Sequence, residues 1–181
     1  MKTILLAVTG SIAAYKSADL TSGLKKKGYD VKVVMTDAAT KFITPLTLQS
    51  VSQNYVYTDL WDENNPKVVQ HIELVTTADL FLVAPATANV VGKLANGIAD
   101  DLVSTLGMAV PTHVPKLIAP AMNTNMYQNP IMTDNLNRLK THGYIEIEPR
   151  SARLVCGVEG KGAMATIETI LEKVIEICPI D

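Results

Sequence analysis

Lys2-Thr3-Ile4-Leu5-Leu6-Ala7-Val8-Thr9-Gly10-Ser11 decides the fold. An apolar run with β-branched residues stops at a glycine and a serine, and Ile12, Ala13, Tyr15, Ala18, Leu20 and Leu24 then recur at roughly helical spacing. Lys25, Lys26 and Lys27 fall in the last turn of that helix, where cations suit the helix dipole, and Gly28 ends it. Val31 to Met35 reads as a second strand. Strand, helix, strand in this order opens a parallel sheet with a right-handed crossover. The expected class is therefore α/β: a doubly wound parallel sheet with helices on both faces.

The remaining chain repeats that alternation. Short helices are expected over Thr36 to Ile43 and over Pro45 to Val51, the latter with Thr44 as N-cap and Pro45 in the first helical position. Asp62 to Lys67 is the most loop-like segment. A helix over His71 to Thr77 leads into a buried strand, Leu80 to Ala84, that stops at Pro85. Helices follow over Ala86 to Leu94 and Asp101 to Ala109, then a strand over Lys116 to Ala119, a helix over Asn129 to Thr141 and a short strand over Tyr144 to Ile147. Cys156 to Met164 reads as a glycine-rich loop, and Thr166 to Cys178 as a closing amphipathic helix. One domain over residues 1–181 accounts for the pattern.

Composition narrows the function classes. Lys plus Arg is 16 and Asp plus Glu 18, a net charge of −2, and Lys25 to Lys27 is the only basic run. A surface built for nucleic acid or anionic lipid needs a clustered cationic excess, so neither partner is expected. Exchanging the 6 Tyr for the 10 Gly in the 48% apolar count gives about 50%, the top of the usual range, while charged residues reach only 19%. Either a large monomer core or a homo-oligomer would bury that surplus. No apolar run approaches the ~18 residues of a membrane span, and the N-terminal run lacks a convincing leader-cleavage site. Cys156 and Cys178 form neither a CxxC nor a metal spacing, so no metal is expected, and the compartment expected is the reducing cytoplasm.

In such sheets ligands bind beyond the carboxyl ends of the strands. Gly10-Ser11 turns a strand into a helix and aims backbone N–H groups at a pocket, as a phosphate requires or as a simple N-cap would. GxGxxG and Walker A sequences are absent, so a single phosphate, as in a mononucleotide, fits better than a dinucleotide or ATP. Thr87 and Asn89 follow another strand and can either cap a helix or meet a ligand's polar rim. In Pro120-Ala121-Met122-Asn123-Thr124-Asn125-Met126-Tyr127, two Asn, two Met and a Tyr follow a buried strand where packing alone asks for none of them. Apolar Met walls beside neutral amides suit a flat ring and a carboxylate; a polar loop with Met as gap-filler is the plainer reading. His71 is a candidate base near neutral pH or a helix-start residue. Cys156, among glycines, is a candidate acid or a buried hydrophobe, and Cys178 reads as core.

Together these segments resemble the flavin-containing cysteine decarboxylases over essentially the whole chain. The resemblance rests on Thr9-Gly10-Ser11-Ile12-Ala13-Ala14, His71-Ile72-Glu73-Leu74, Ala84-Pro85-Ala86-Thr87-Ala88-Asn89 and Lys93 to Asp100. Pro120-Ala121-Met122-Asn123 with Met126, paired with a downstream Cys156-Gly157, Gly160 and Gly162, is its most specific part. One departure is Tyr127, where the family motif usually has Trp.

The resemblance implies a flavodoxin-like (Rossmann-like) subunit that assembles as a homotrimer or homododecamer with FMN at the subunit interface. Gly10, Ser11 and Thr36 would hold the FMN phosphate region, and Ala86, Thr87 and Ala88 would line the flavin site. The implied reaction converts 4′-phospho-N-pantothenoylcysteine to 4′-phosphopantetheine on the way to coenzyme A, by thiol oxidation to a thioaldehyde, loss of carbon dioxide and re-reduction of the enethiol. His71 would assist the oxidation, Asn123 would bind the substrate carboxylate, Met126 would pack on substrate or flavin, and Cys156 would protonate from a loop closing over the substrate. Many bacterial relatives carry a ligase domain after this one, and none is expected within these 181 residues. The rival readings are a flavin prenyltransferase, a peptidyl-cysteine decarboxylase and a non-catalytic flavin-binding regulatory subunit. The joint presence of His71, Asn123 and Cys156 favours the enzyme.

Overall fold

The structure, a computed structural model, describes residues 1–61, 69–153 and 159–180. Its elements in chain order are β1 (Thr3–Val8), a 3-10 turn (Ile12–Lys16) running into α1 (Ser17–Lys26), β2 (Asp30–Met35), α2 (Asp37–Thr40), α3 (Pro45–Ser52) and β3 (Val56–Tyr57). After these come α4 (Gln70–Thr76), β4 (Leu80–Ala86), α5 (Ala88–Asn96), α6 (Leu102–Ala109), β5 (Lys116–Pro120), α7 (Thr124–Tyr127) and α8 (Pro130–Thr141). The last elements are β6 (Tyr144–Glu146), β7 (Arg150–Arg153), β8 (Glu159–Ala163) and α9 (Ile167–Ile177). Six strands form one sheet in the order β3-β2-β1-β4-β5-β6, all parallel, and β7 and β8 form a separate antiparallel hairpin. This is the doubly wound α/β architecture that the sequence pattern predicts, and the flavodoxin-like fold that the resemblance implies.

The strands are apolar at nearly every position because both sheet faces are covered. Ile4, Leu6 and Val8 point into one core with Leu20, Leu24, Ile170 and Val174 of α1 and α9. Leu5 and Ala7 point into the other, with Val90, Val91, Val103 and Leu106 of α5 and α6. Helix starts are fixed by side-chain caps: Thr44, Thr87, Asp101 and Thr166 each accept a hydrogen bond from a first-turn N–H. Cys178 is buried in the first core, as expected.

Three expectations change. β4 does not stop at Pro85 but continues to Ala86 through a cis Ala84–Pro85 bond, because the register with β5 shifts between Val83 and Ala86. The missing proline N–H falls in that irregularity, and Ala86 resumes pairing, its carbonyl accepting from Ala121 N–H at 3.0 Å. Second, residues 159–163 are strand β8 and not loop, paired with β7. Third, the polar segment after β5 contains the single turn α7. The expected loop at Asp62 to Lys67 lies outside the described residues.

β1 and β4 lie side by side, yet the chain leaves β1 toward β2 and leaves β4 toward β5, which opens a crevice at their carboxyl ends. Thr9, fully buried, ties that junction together: its hydroxyl donates to the Pro85 carbonyl at 2.7 Å and accepts from Thr87 N–H at 3.0 Å. Thr9→Val keeps the shape and strips both partners, and should cost about 2 to 4 kcal/mol. Urea denaturation monitored by circular dichroism should show the lower midpoint, with Thr9→Ser retaining most of it; an unchanged valine midpoint would contradict the bridge.

Candidate functional site

A cavity of about 600 Å³ opens over the β1–β4–β5 edge and is roofed by the β7–β8 hairpin. Gly10 and Ser11 line it from β1, Thr87, Ala88 and Asn89 from β4, and Ala121, Met122, Asn123 and Met126 from β5 and α7. Ala152, Gly162, Ala163 and Met164 close it from the hairpin side. Its volume lies within the usual range of small-molecule and cofactor sites.

Each lining side chain is set by local structure. Ser11 Oγ accepts from Ala13 N–H at 3.2 Å and caps the 3-10 turn, so its cap and pocket readings coexist. Thr87 Oγ1 accepts from Val90 N–H at 3.3 Å, which starts α5 at the cavity wall. Two helical segments thus begin here, with N–H groups and positive dipole ends that suit an anion. Asn123 caps α7 through Oδ1, which accepts from Asn125 N–H at 2.8 Å. That cap fixes Asn123 in the cavity, with Met126 on the same short turn.

Gly10 sits where no side chain fits: an added Cβ would collide with the Ala38 Cβ. The glycines of β8 serve close approach as well. A Cβ on Gly160 would lie 2.6 Å from Thr124 Oγ1, and one on Gly162 would collide with the Met122 carbonyl oxygen. That contact lets Met122 N–H donate to the Gly162 carbonyl at 3.0 Å, so the hairpin is clipped onto the segment that carries Asn123.

Tyr127, standing where the family motif has Trp, uses its hydroxyl. It donates to Glu146 Oε1 at 2.7 Å, and Lys140 lies 2.6 Å from Glu146 Oε2. Burial first, and then this bond to a carboxylate, hold the Tyr127 phenol well above its ordinary range, so it stays protonated. Away from the cavity, Lys93 bridges Asp100 at 2.6 Å and Asp101 at 2.7 Å, pinning the turn after Gly97, whose φ of +69° favours glycine. Hydrogen bonding to Lys93 lowers the Asp100 carboxyl, and hydrogen bonds to Asp100 and Asp101 raise the Lys93 ammonium.

Of the residues expected at a site, Gly10, Ser11, Thr87, Ala88, Asn123 and Met126 meet at this one cavity. Thr36 and Ala86 do not line it: Thr36 Oγ1 caps α2, accepting from Ala39 N–H at 3.2 Å, and Ala86 is buried in β4. His71 lies in the first turn of α4, partly buried and outside the cavity lining of the single chain. Cys156 lies outside the described residues. The sequence reading missed Lys16 and Arg150, which also line the cavity. Lys16 looks like the polar face of a helix, and Arg150 carries no motif that could have marked it.

The cavity fits FMN. Apolar Ala88, Ala121, Met122 and Met126 can face a flat ring, neutral Ser11, Thr87 and Asn89 its polar edge, and the N–H groups after Gly10 a single phosphate. Among the described residues no cluster of His, Cys, Asp and Glu could hold a metal, and no helix is long and apolar enough to cross a membrane.

A family model described as Flavoprotein matches residues 1–178. The chain is 54% identical over 175 residues to the probable phosphopantothenoylcysteine decarboxylase of Streptococcus mutans, covering 97% of this chain and 98% of that protein. It also matches coenzyme A biosynthesis bifunctional proteins, and spans 42% of the length of the one from Bacillus subtilis. Among solved structures, a PPC decarboxylase mutant complexed with pantothenoylaminoethenethiol aligns with a TM-score of 0.89 and 36% identity, covering 96% of each chain. An FMN binding protein aligns with a TM-score of 0.88 and 35% identity, covering 98% of this chain and 96% of that one.

Gly162→Ala should push the hairpin off Met122 and break their hydrogen bond. Amide exchange at Met122 should then speed up by about tenfold or more. Gly92→Ala, where the nearest atom to the new Cβ is Asn135 Nδ2 at 3.9 Å, is the control and should leave Met122 protected. Unchanged exchange in Gly162→Ala would show that the clip is absent.

Proposed function

The chain belongs to the flavoprotein family, and on that premise we propose that it decarboxylates 4′-phospho-N-pantothenoylcysteine to 4′-phosphopantetheine, an FMN-dependent step of coenzyme A biosynthesis. The observation that carries the reading is the meeting of Asn123 and Met126 with the Gly10-Ser11 turn and Thr87-Ala88 at one cavity. What favours this substrate over a peptidyl-cysteine, flavin-prenylating or purely regulatory role is the 54% identity to the probable phosphopantothenoylcysteine decarboxylase over nearly the whole of both chains.

The carbon that loses the carboxyl group bears an amide nitrogen and has no electron sink of its own, so carbon dioxide can leave only after the neighbouring thiol carbon is oxidised. Bound FMN supplies that two-electron exchange and returns the pair at the end, leaving no net oxidation. Gly10 and Ser11, with the N–H groups of the turn, would hold its phosphate; Thr87 and Ala88 would line its ring, with Ala86 and Thr36 supporting from behind. Asn123 offers a neutral amide donor to the substrate carboxylate and fixes its orientation. Met126 packs against the bound ring or substrate. His71 assists removal of the thiol proton, and Cys156 returns a proton to the enethiol carbon.

His71 is not in the lining of the single chain, which is the reason to place the working site at a subunit interface in a homotrimer or a larger assembly. Ile12, Tyr15 and Met126 beside the cavity, and Phe42, Leu46 and Trp61 elsewhere, are exposed apolar side chains that such an assembly would cover. The cytoplasm is the proposed compartment, where Cys178 stays a free buried thiol. Residues 1–181 are proposed to act as one flavoprotein decarboxylase domain.

Cys156→Ser should release carbon dioxide while an oxidised enethiol accumulates, detected by product mass; a normal yield of saturated product would remove Cys156 from the last step. In Asn123→Asp the like charge should slow decarboxylation by about tenfold to a hundredfold, and an unchanged rate would count against carboxylate binding. Anaerobic mixing of His71→Asn with substrate should leave the flavin unbleached, whereas bleaching at the normal rate would exclude His71 from thiol oxidation.

A further inference from the structure

Among the described residues, those lining the cavity include two cations, Lys16 and Arg150, and no carboxylate. They reach it from unrelated parts of the chain: Lys16 ends the 3-10 turn after β1, and Arg150 begins β7 of the roofing hairpin. Among the described residues neither forms an ion pair that would neutralise it. The Lys16 ammonium rests 5.9 Å from the centre of the Tyr15 ring, also a cavity residue, a contact that holds a cation without neutralising it. In a chain of net charge −2, two uncompensated cations at one concave site make a local positive field.

Resting on the decarboxylase reading, we propose that Lys16 and Arg150 form a clamp for a phosphate monoester, the 4′-phosphate at the far end of the substrate from its cysteine. Two sources of that chemistry can enter this cavity, the cofactor and the substrate. The cofactor's phosphate would be served by the N–H groups at Gly10 and Ser11, as proposed above. Lys16 is five residues further on, about 10 Å along the 3-10 turn at ~2 Å per residue. Arg150 reaches the cavity from the hairpin, a separate element from the β1 turn that carries Gly10 and Ser11. An arginine fork and a lysine ammonium lining one cavity suit a doubly charged terminal phosphate. Such a clamp would account for selection of a phosphorylated substrate by a site whose chemical end is read by neutral Asn123.

The test uses the FMN-loaded protein and two substrates, 4′-phospho-N-pantothenoylcysteine and its non-phosphorylated counterpart, with calorimetric binding of 4′-phosphopantetheine and pantetheine alongside. Lys16→Ala and Arg150→Ala should each lower the ratio of kcat/KM for the phosphorylated over the plain substrate by about tenfold or more, mainly through KM. The ratio of product affinities should fall in parallel, and Lys16→Arg and Arg150→Lys should keep most of both ratios. Ratios that stay unchanged, or an equal loss on both substrates, would overturn the clamp. So would weakened FMN binding with riboflavin binding unaltered, which would give the cations to the cofactor. If the unaltered protein decarboxylated neither substrate, the reading of the reaction would fail, while the product-affinity ratio would still decide the clamp.

Discussion

The site depends on how β1 and β4 end. Both strands are buried on both faces, so their backbones must stop together at one edge, and the Thr9 hydroxyl joins the two ends by bonding the Pro85 carbonyl and the Thr87 N–H. Because the chain departs from these neighbours in opposite directions, the crevice beyond them is a consequence of topology and not of any one side chain. Two helical segments then open on it with their N–H groups forward, capped by Ser11 and Thr87. A scaffold of small, neutral residues results, which leaves the demanding electron chemistry to a bound flavin and asks the protein to orient and to move protons.

A second constraint is the contact between the hairpin and the segment after β5. Gly160 and Gly162 bring β8 against Thr124 and the Met122 carbonyl, closer than any side chain permits. The hairpin is therefore part of the cavity wall, and it carries Arg150 to the rim. Tyr127 braces the same segment from below through Glu146 and Lys140, a polar brace that a tryptophan at this position could not form in the same way. Asn123 is thus held by its own cap, by the hairpin clip and by the next residue but three of α7.

The sheet was legible because burial on both faces leaves dense apolar runs: Ile4 to Val8 and Leu80 to Ala84 without a break, Val31 to Met35 with Lys32 as its one polar residue, and Leu117 to Ala119 after Lys116 each announce a strand. The cap residue Thr44 marked the start of α3 correctly, since its chemistry is local. What escaped lacks a local signal. β3 is two residues long; β8 hides behind glycines that are poor strand formers and are present for close packing; α7 is a single turn. At the cavity, the residues that follow strands were readable by rule, Gly10, Ser11, Thr87 and Asn123 among them. Lys16 and Arg150 were not, because nothing in the sequence relates a lysine on a helical face to an arginine far along the chain. Thr36 and Ala86 were drawn in by resemblance, and here neither lines the cavity.

The account is tested most directly by an anaerobic reaction of the purified, FMN-loaded protein with 4′-phospho-N-pantothenoylcysteine, recording product mass and flavin absorbance together. It predicts 4′-phosphopantetheine, lighter than the substrate by one carbon dioxide, with the flavin oxidised again when turnover ends. Unchanged substrate beside bound flavin, or carbon dioxide release that leaves the flavin reduced in proportion to product, would contradict it.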